Sequence, residues 1–275
     1  MHIHQWIDDA TAQLEAVGIP SARLDAEIIL AHTLRKSRTW LHAYRDETIS
    51  PRDLDIANTR LDLRADRVPI AYIIGHKEFY GRRFHVTPST LIPRPESESI
   101  IELGTIYIPK NQPLIAENPR CIDVGTGSGV LGITLKRLFS LLDVTLADTS
   151  THALAVAAKN AVAHGVNVET VKSDLLTDYP FSPSVVVANL PYVDSSWERS
   201  PETNHEPQEA LFAADGGLQL IHELIDQTAR RQPEGGLLFL EADPVQHDAI
   251  VAHTMRQNYR HLQTLDYGLA FQKTT

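Results

Sequence analysis

Four consecutive residues, Asn189-Leu190-Pro191-Tyr192, have the types and order needed to hold a planar amino group. Asn189 brings a side-chain carbonyl as acceptor and Leu190 a backbone carbonyl. Pro191 brings a fixed φ that stiffens the turn, and Tyr192 a flat ring. Two acceptors for two N–H protons, with a ring to stack on, make a grip for an –NH2 group. Such a grip suits methyl transfer to an amide or exocyclic amine nitrogen, whose lone pair is delocalised and poorly nucleophilic unaided. The tetrapeptide follows Val185-Val186-Val187-Ala188, an apolar, β-branched run of the length of a buried parallel strand. A plainer alternative, an ordinary strand-to-loop turn, fits the four residues taken alone equally well.

A second motif favours the chemical reading. Arg120-Cys121-Ile122-Asp123-Val124 reads as a strand that runs into Gly125-Thr126-Gly127-Ser128-Gly129 and then into an amphipathic helix from Val130 to Leu138. Strand, glycine turn and helix is the context in which a backbone approaches a nucleotide-type ligand closely. A dinucleotide fingerprint needs a third glycine at the sixth position, where this chain has Val130. The tighter Gly-x-Gly-x-Gly after an acidic strand residue instead resembles motif I of S-adenosylmethionine-dependent methyltransferases. That resemblance implies that Asp123 acts near the amino-acid end of the cofactor; as an alternative it caps the glycine turn.

The following strands supply further carboxylates. Asp143 to Asp148 reads as a strand whose last residue lies 23 positions after Gly125. This is close to the roughly 20 at which an acidic residue meets a ribose diol in βαβ units. Asp148 is the expected ribose ligand, with a helix N-cap as the alternative. A strand from about Val166 to Lys172 leads to Ser173-Asp174-Leu175, where Asp174 would approach an adenine amino group or else be a solvated loop acid. All five features fall at predicted strand ends, the rim where open α/β sheets bind ligands.

These elements predict the architecture. Helices are expected over 4–17 and 21–36, from Trp40 to Tyr44 and from Pro51 to about Arg67, forming a small bundle that Pro69 ends. Ile70 to Val86 reads as strand, turn and strand, with Gly75 and Gly81 as punctuation. Pro88, Pro93 and Pro95 mark a linker, a helix covers 96–107, and Pro109, Pro113 and Pro119 mark a loop. From residue 120 strands and helices alternate, through strands at Gly236 to Glu241 and a hairpin-like His261 to Lys273, which argues for a mostly parallel sheet. The expected domains are a helical bundle (1–68), a β-hairpin and linker (69–95) and a Rossmann-like α/β domain of seven strands (96–275).

Composition narrows the function classes. With 43% hydrophobic and 22% charged residues, the 275-residue chain reads as a soluble globular protein large enough for two domains. Apolar runs stay short of a membrane span, and the N-terminus lacks the basic and apolar regions of a secretory signal. One cysteine, Cys121, excludes an internal disulfide and a cysteine zinc cluster, the histidines show no metal-ligand spacing, and a reducing cytoplasm is the expected setting. Residues 1–85 carry 12 Lys and Arg against 12 Asp and Glu, whereas the remainder holds 13 against 23 and the whole net charge of −10. An acidic catalytic half argues against non-specific binding to nucleic-acid phosphates. Ten of the twelve basic residues in the first segment are Arg, either a docking face for an acidic partner or ordinary helix-surface charge.

Taken together, the chain resembles peptide-chain release factor glutamine methyltransferases of the HemK/PrmC type over nearly its whole length. The resemblance is carried by Leu24-Asp25-Ala26-Glu27, Arg67 to Gly75, Phe79 to Phe84, Leu91-Ile92-Pro93-Arg94-Pro95-Glu96-Ser97-Glu98, Asp123 to Gly129 and Asn189 to Tyr192. It implies S-adenosylmethionine as donor and, as acceptor, the glutamine of a release factor Gly-Gly-Gln loop docked by the helical bundle. The composition adds the expectation of no metal and no direct contact with nucleic acid or membrane, and a monomer is expected. Expected cofactor contacts are Asp123, Gly125, Thr126, Gly127, Ser128, Gly129, Asp148, Asp174, Leu175 and Asn189; Asn189, Leu190, Pro191 and Tyr192 form the catalytic grip. Glu206-Pro207 either shapes the substrate pocket or is a solvated loop.

Two departures stand out. The family tetrapeptide is Asn-Pro-Pro-Tyr, and this chain has Leu190 at the second place; the terminal Asp266-Tyr267-Gly268-Leu269-Ala270 lacks the family's Arg. Asn-Leu-Pro-Tyr is also the form in ribosomal RNA adenine dimethyltransferases, but those carry their small domain after the catalytic one. Adenine N6 methylation of RNA or DNA is therefore one alternative, and a non-catalytic binding module that keeps the fold is another.

Overall fold

In the computed structural model, which describes residues 1–111 and 119–275, the first part of the chain is helical. Helices α1 (Ile3–Ala16), α2 (Ala22–Leu34), α3 (Arg38–Ala43), α4 (Pro51–Ala65) and α5 (Ile70–Ile74) bury one apolar face each, around Trp6, Leu14, Ile29, Leu30 and Leu61. Ser37 and Ser50 cap α3 and α4 by accepting from the backbone N–H of Trp40 and Asp53. Helix α5 corrects the expected strand at 70–74. Its β-branched and aromatic residues favour a strand in isolation. Pro69 immediately before it and Gly75 at its C-cap, with φ of 74°, start and stop a helical turn instead.

This helical unit comprises Met1–His76 together with Arg199–His205. That second segment is held by charge: Arg64 donates to both Asp25 (2.8 Å) and Glu202 (3.0 Å), and Arg67 reaches Glu202 at 3.3 Å. Ser200 and Arg64 outweigh burial and hold the Glu202 carboxyl down at about 2. Much of the arginine excess is therefore spent inside the unit: Arg23 and Arg38 pair with the buried Glu27, and Arg60 donates to Thr33.

The second unit, Lys77–Glu198 with Glu206–Thr275, is an α/β sheet domain. Strands β1 (His76–Phe79) and β2 (Arg82–His85) form a hairpin whose two turn residues, Tyr80 and Gly81, have positive φ of 48° and 69°. Helix α6 (Glu98–Asn111) runs four residues beyond its expected end at 107. Pro109 and Thr105, the residue four before it whose carbonyl would lose a backbone donor, are both exposed, so the helix continues past the proline. The loop expected at Pro113 lies outside the described residues.

The remaining elements follow as β3 (Arg120–Val124), α7 (Val130–Leu138), β4 (Asp143–Asp148), α8 (Thr151–Ala163), β5 (Glu169–Lys172), β6 (Val185–Ala188), α9 (Gln219–Arg231), β7 (Leu237–Glu241), α10 (His247–Arg256), β8 (Tyr259–Leu265) and β9 (Gly268–Lys273). They build a seven-stranded sheet of order β5-β4-β3-β6-β7-β9-β8, parallel except for β9, which is antiparallel to β7 and β8. Strands β3, β6 and β7 are buried on both faces, which explains their unbroken apolar runs. The chain progresses outward from β3 through β4 to β5, then returns to β6 on the other side. That reversal opens a crevice at the carboxyl ends of β3 and β6.

Candidate active site

The crevice holds a cavity lined by Asp123, Gly125 to Ser128, Asp148, Ser173 to Leu175 and Asn189 to Pro191. The structure thus brings together nearly every expected site residue. Gly129 stands at the N-terminus of α7 without lining the cavity, and Tyr192 is also outside its wall.

Asp123 is 1% exposed at the end of β3. Its Oδ2 accepts from Thr126 Oγ1 (2.6 Å) and from the backbone N–H of Gly132 (2.9 Å), so this oxygen does cap the glycine turn and the start of α7. A Cβ at Gly132 would lie 2.4 Å from Leu146 Cδ2 and 3.0 Å from Asp123 Cβ; only glycine permits this approach. Oδ1 of Asp123 is buried without a partner. Burial pushes the carboxyl up to about 7, against the two hydrogen bonds and with help from nearby Asp148. An unpaired buried acceptor at the rim is suited to a donor brought by a ligand.

Asp148 accepts from the N–H of Gly127 (2.9 Å) and of Ser150 (2.8 Å), so it braces the glycine loop from the next strand. The helix N-cap weighed for it is filled by Ser150, whose hydroxyl accepts from Ala153. Ser128 is anchored from behind by Asn160 of α8, which donates to its carbonyl at 2.8 Å and is 1% exposed. Asp174 is exposed, and beside it Leu175 is buried with φ of 50°. A left-handed, branched side chain costs on the order of 1–3 kcal/mol and is concentrated at ligand sites.

Asn189 donates from Nδ2 to Ser97 Oγ at 3.0 Å. Its nitrogen is thereby directed at Ser97, and its carbonyl oxygen is left for another partner. Leu190 is 5% exposed, and its Cδ2 sits where a Cβ on Gly125, at φ of 68°, would come within 2.9 Å. The leucine side chain thus packs the –NH2-gripping turn onto the glycine loop. Tyr192 is half-buried against the core and donates its hydroxyl to Glu241 Oε1 at 3.1 Å.

Sequence reasoning missed the other wall. Ser89, Thr90, Leu91, Pro93 and Arg94, assigned to a linker, and Ser97, assigned to the following helix, line the cavity with Glu209 and Ala210; Pro207 lines it too, in keeping with the pocket-shaping reading of Glu206-Pro207. Glu206 is not a solvated loop acid: it is 4% exposed, accepts from the N–H of Ile92 at 3.0 Å and pairs with Arg94. The Pro-Arg-Pro stretch and Glu206-Pro207 are therefore one structure, a signal that 112 residues of sequence separation conceals. Among the described residues no group of His, Cys, Asp and Glu is placed to hold a metal ion, and no helix is long and apolar enough to cross a membrane.

The geometry has counterparts. Residues 5–75 match the family model for a PrmC N-terminal domain, and residues 103–206 match that for a methyltransferase small domain. The chain is 34% identical over 246 residues to the release factor glutamine methyltransferase of Deinococcus radiodurans, covering 89% of this chain and 87% of the relative. It is 31% identical over 278 residues to that of Escherichia coli K12, covering 98% and 96%. Among solved structures, the T. thermophilus 16S rRNA N2 G1207 methyltransferase in complex with AdoMet and guanosine superposes with TM-score 0.54 and 17% identity. That match covers 73% of this chain and 50% of the other, and it bears on the fold alone. With both parts of the chain matched in order and curated relatives of one name aligned nearly end to end, this protein belongs to the release factor glutamine methyltransferase family.

Proposed function

We propose that this protein methylates the side-chain amide nitrogen of a glutamine in a peptide-chain release factor, within a Gly-Gly-Gln loop, with S-adenosylmethionine as donor. The observation that carries this reading is the Asn189 amide, pinned by Ser97 so that its carbonyl is left at the rim, beside the glycine loop of the same cavity.

The residues present fit that donor. Asp123, with its unpaired oxygen, suits an ammonium; Asp148, whose oxygens each keep a lone pair, suits a ribose diol; and Asp174 suits an adenine amino group. Gly125 to Gly129 and Leu175 form the adjoining backbone. When bound, the donor supplies a methyl on a positively charged sulfonium. The chain's own part is positioning and electrostatics. The Asn189 and Leu190 carbonyls hold the two amide protons and favour the positive charge that develops on nitrogen, Pro191 keeps the turn rigid, and Tyr192 offers its ring to the planar amide. The extra proton leaves to water after transfer. Residues 1–68 would dock the body of the release factor.

Mass spectrometry of release factors incubated with the protein and the donor tests this directly. A gain of about 14 Da on the glutamine of the Gly-Gly-Gln loop is expected, because a CH3 replaces one amide hydrogen. Incorporation into ribosomal RNA with none into release factor would overturn the assignment.

A further inference from the structure

Glu241 ends β7 one residue beyond the paired Leu240 and Ala188, and so stands beside Asn189 across the sheet. It is 1% exposed. Tyr192 donates to its Oε1, and no donor in hydrogen-bond geometry meets its Oε2. Burial pushes this acid up to about 7, while Ser97, Tyr192 and Asn189 draw it back down and Glu96 raises it. Ser97, 2% exposed, accepts from Asn189 Nδ2 and still has its own hydroxyl proton to place, with the Glu241 carboxylate as the neighbouring acceptor.

We propose that Glu241 is a positioning residue for the amide grip: by accepting from Ser97 and Tyr192, it fixes which end of the Asn189 amide faces the substrate. This inference rests on the reading of the β6 rim as an amide grip. The two ends of an asparagine amide have nearly the same shape and opposite hydrogen-bonding character. Turned over, Asn189 would present N–H groups to the N–H groups of the incoming –NH2, and the grip would repel it. With Glu241 as terminal acceptor, the Ser97 proton points toward Glu241 and the Ser97 lone pair toward Asn189. That arrangement admits only Nδ2 at Ser97 and leaves Oδ1 for the substrate. Tyr192, on the same carboxylate, ties the far end of the tetrapeptide to the same point.

Two measurements on the full chain test this. Steady-state kinetics with release factor should show kcat lower by on the order of 10-fold in Ser97→Ala and in Glu241→Gln, with donor affinity little changed. Ser97→Ala should cost nothing further in an Asn189→Ala background, because both changes remove one orientation. Independently of substrate, the 15N signals of the Asn189 side-chain amide, assigned by their loss in Asn189→Asp, should be protected from exchange in the wild type and unprotected in both variants. Full kcat with protection retained would overturn the proposal, as would a Ser97→Ala loss that simply adds to Asn189→Ala. A wild-type protein that shows the protection pattern but leaves release factor unmethylated would support the positioning chain and overturn the substrate assignment instead.

Discussion

In the helical unit, Arg64, with a side chain 6% exposed, lies 2.8 Å from Asp25 and 3.0 Å from Glu202. Buried Glu27 is met by Arg38 at 2.7 Å and by Arg23 at 3.5 Å. In the sheet unit, Asp123 and Glu241 are each 1% exposed, form no ion pair among the described residues, and each keep one oxygen without a partner. The first arrangement offsets desolvation with opposite charge and holds two segments together. The second has hydrogen bonds on one oxygen but no opposite charge to offset desolvation, and the other oxygen of each acid does nothing for the fold. Both unpaired carboxylates stand at strand ends on the rim that carries the glycine loop and Asn189. Buried acids without counter-ions thus mark where this fold works, and paired ones mark where it is held.

Removing a partner from each arrangement separates the two. Arg64→Ala leaves Asp25 and Glu202 without their shared cation, and loss of one partner of a buried pair costs about 3–5 kcal/mol. Urea denaturation should show that loss; a change below about 1 kcal/mol, the scale of a surface pair, would mean the network is decorative. Asp123→Asn removes a charge that has no counter-ion while keeping an acceptor for Thr126 and Gly132. Stability at pH 8 should hold or rise, while donor affinity measured by calorimetry falls on the order of 10-fold, about 1.4 kcal/mol. Unchanged affinity would place Asp123 with the structural acids.

Leu190→Pro restores the family tetrapeptide and keeps the backbone carbonyl, so methylation should persist. It also gives up part of a buried side chain that packs over Gly125. A stability loss of about 1 kcal/mol is therefore expected by denaturation. The two units also differ in pH dependence. Asp123 and Glu241 have folded values near 7, above their ordinary 3.8 and 4.5, so the folded state holds more protons in between. Their contribution is greatest below the ordinary values and is lost as pH rises through about 7. Glu202, held at about 2, acts oppositely: its contribution is present above 4.5 and is lost as pH falls toward 2. Denaturation across pH should therefore flatten between about 4 and 7 in Asp123→Asn and between 4.5 and 2 in Glu202→Gln. The reverse pattern would break the contrast between the units.

How much of this was legible follows from the same contrast. Residues that work through local backbone were readable. The glycine loop, Asp148 and Asn189 each follow an apolar strand and carry their own turn chemistry. Residues that work through distant partners were not. Ser97 meets Asn189 across 92 positions, Tyr192 meets Glu241 across 49, and Arg94 meets Glu206 across 112. In Leu-Phe-Leu-Glu nothing local distinguishes Glu241 from an ordinary strand end. The helical turn at Ile70–Ile74 was marked by its flanking proline and glycine, but packing had to override the strand preference of the residues between.

If the Asn189 carbonyl stabilises the nitrogen while the methyl moves, kcat and donor affinity for Asn189→Ala will separate. A hydrogen bond to a charged group is worth roughly 1.5–3 kcal/mol, or on the order of 10- to 150-fold in rate. The loss should fall on turnover at saturating substrate, with donor affinity by calorimetry nearly intact. Normal turnover, or failure that comes only from losing the donor, would contradict the assignment of the amide grip to this rim.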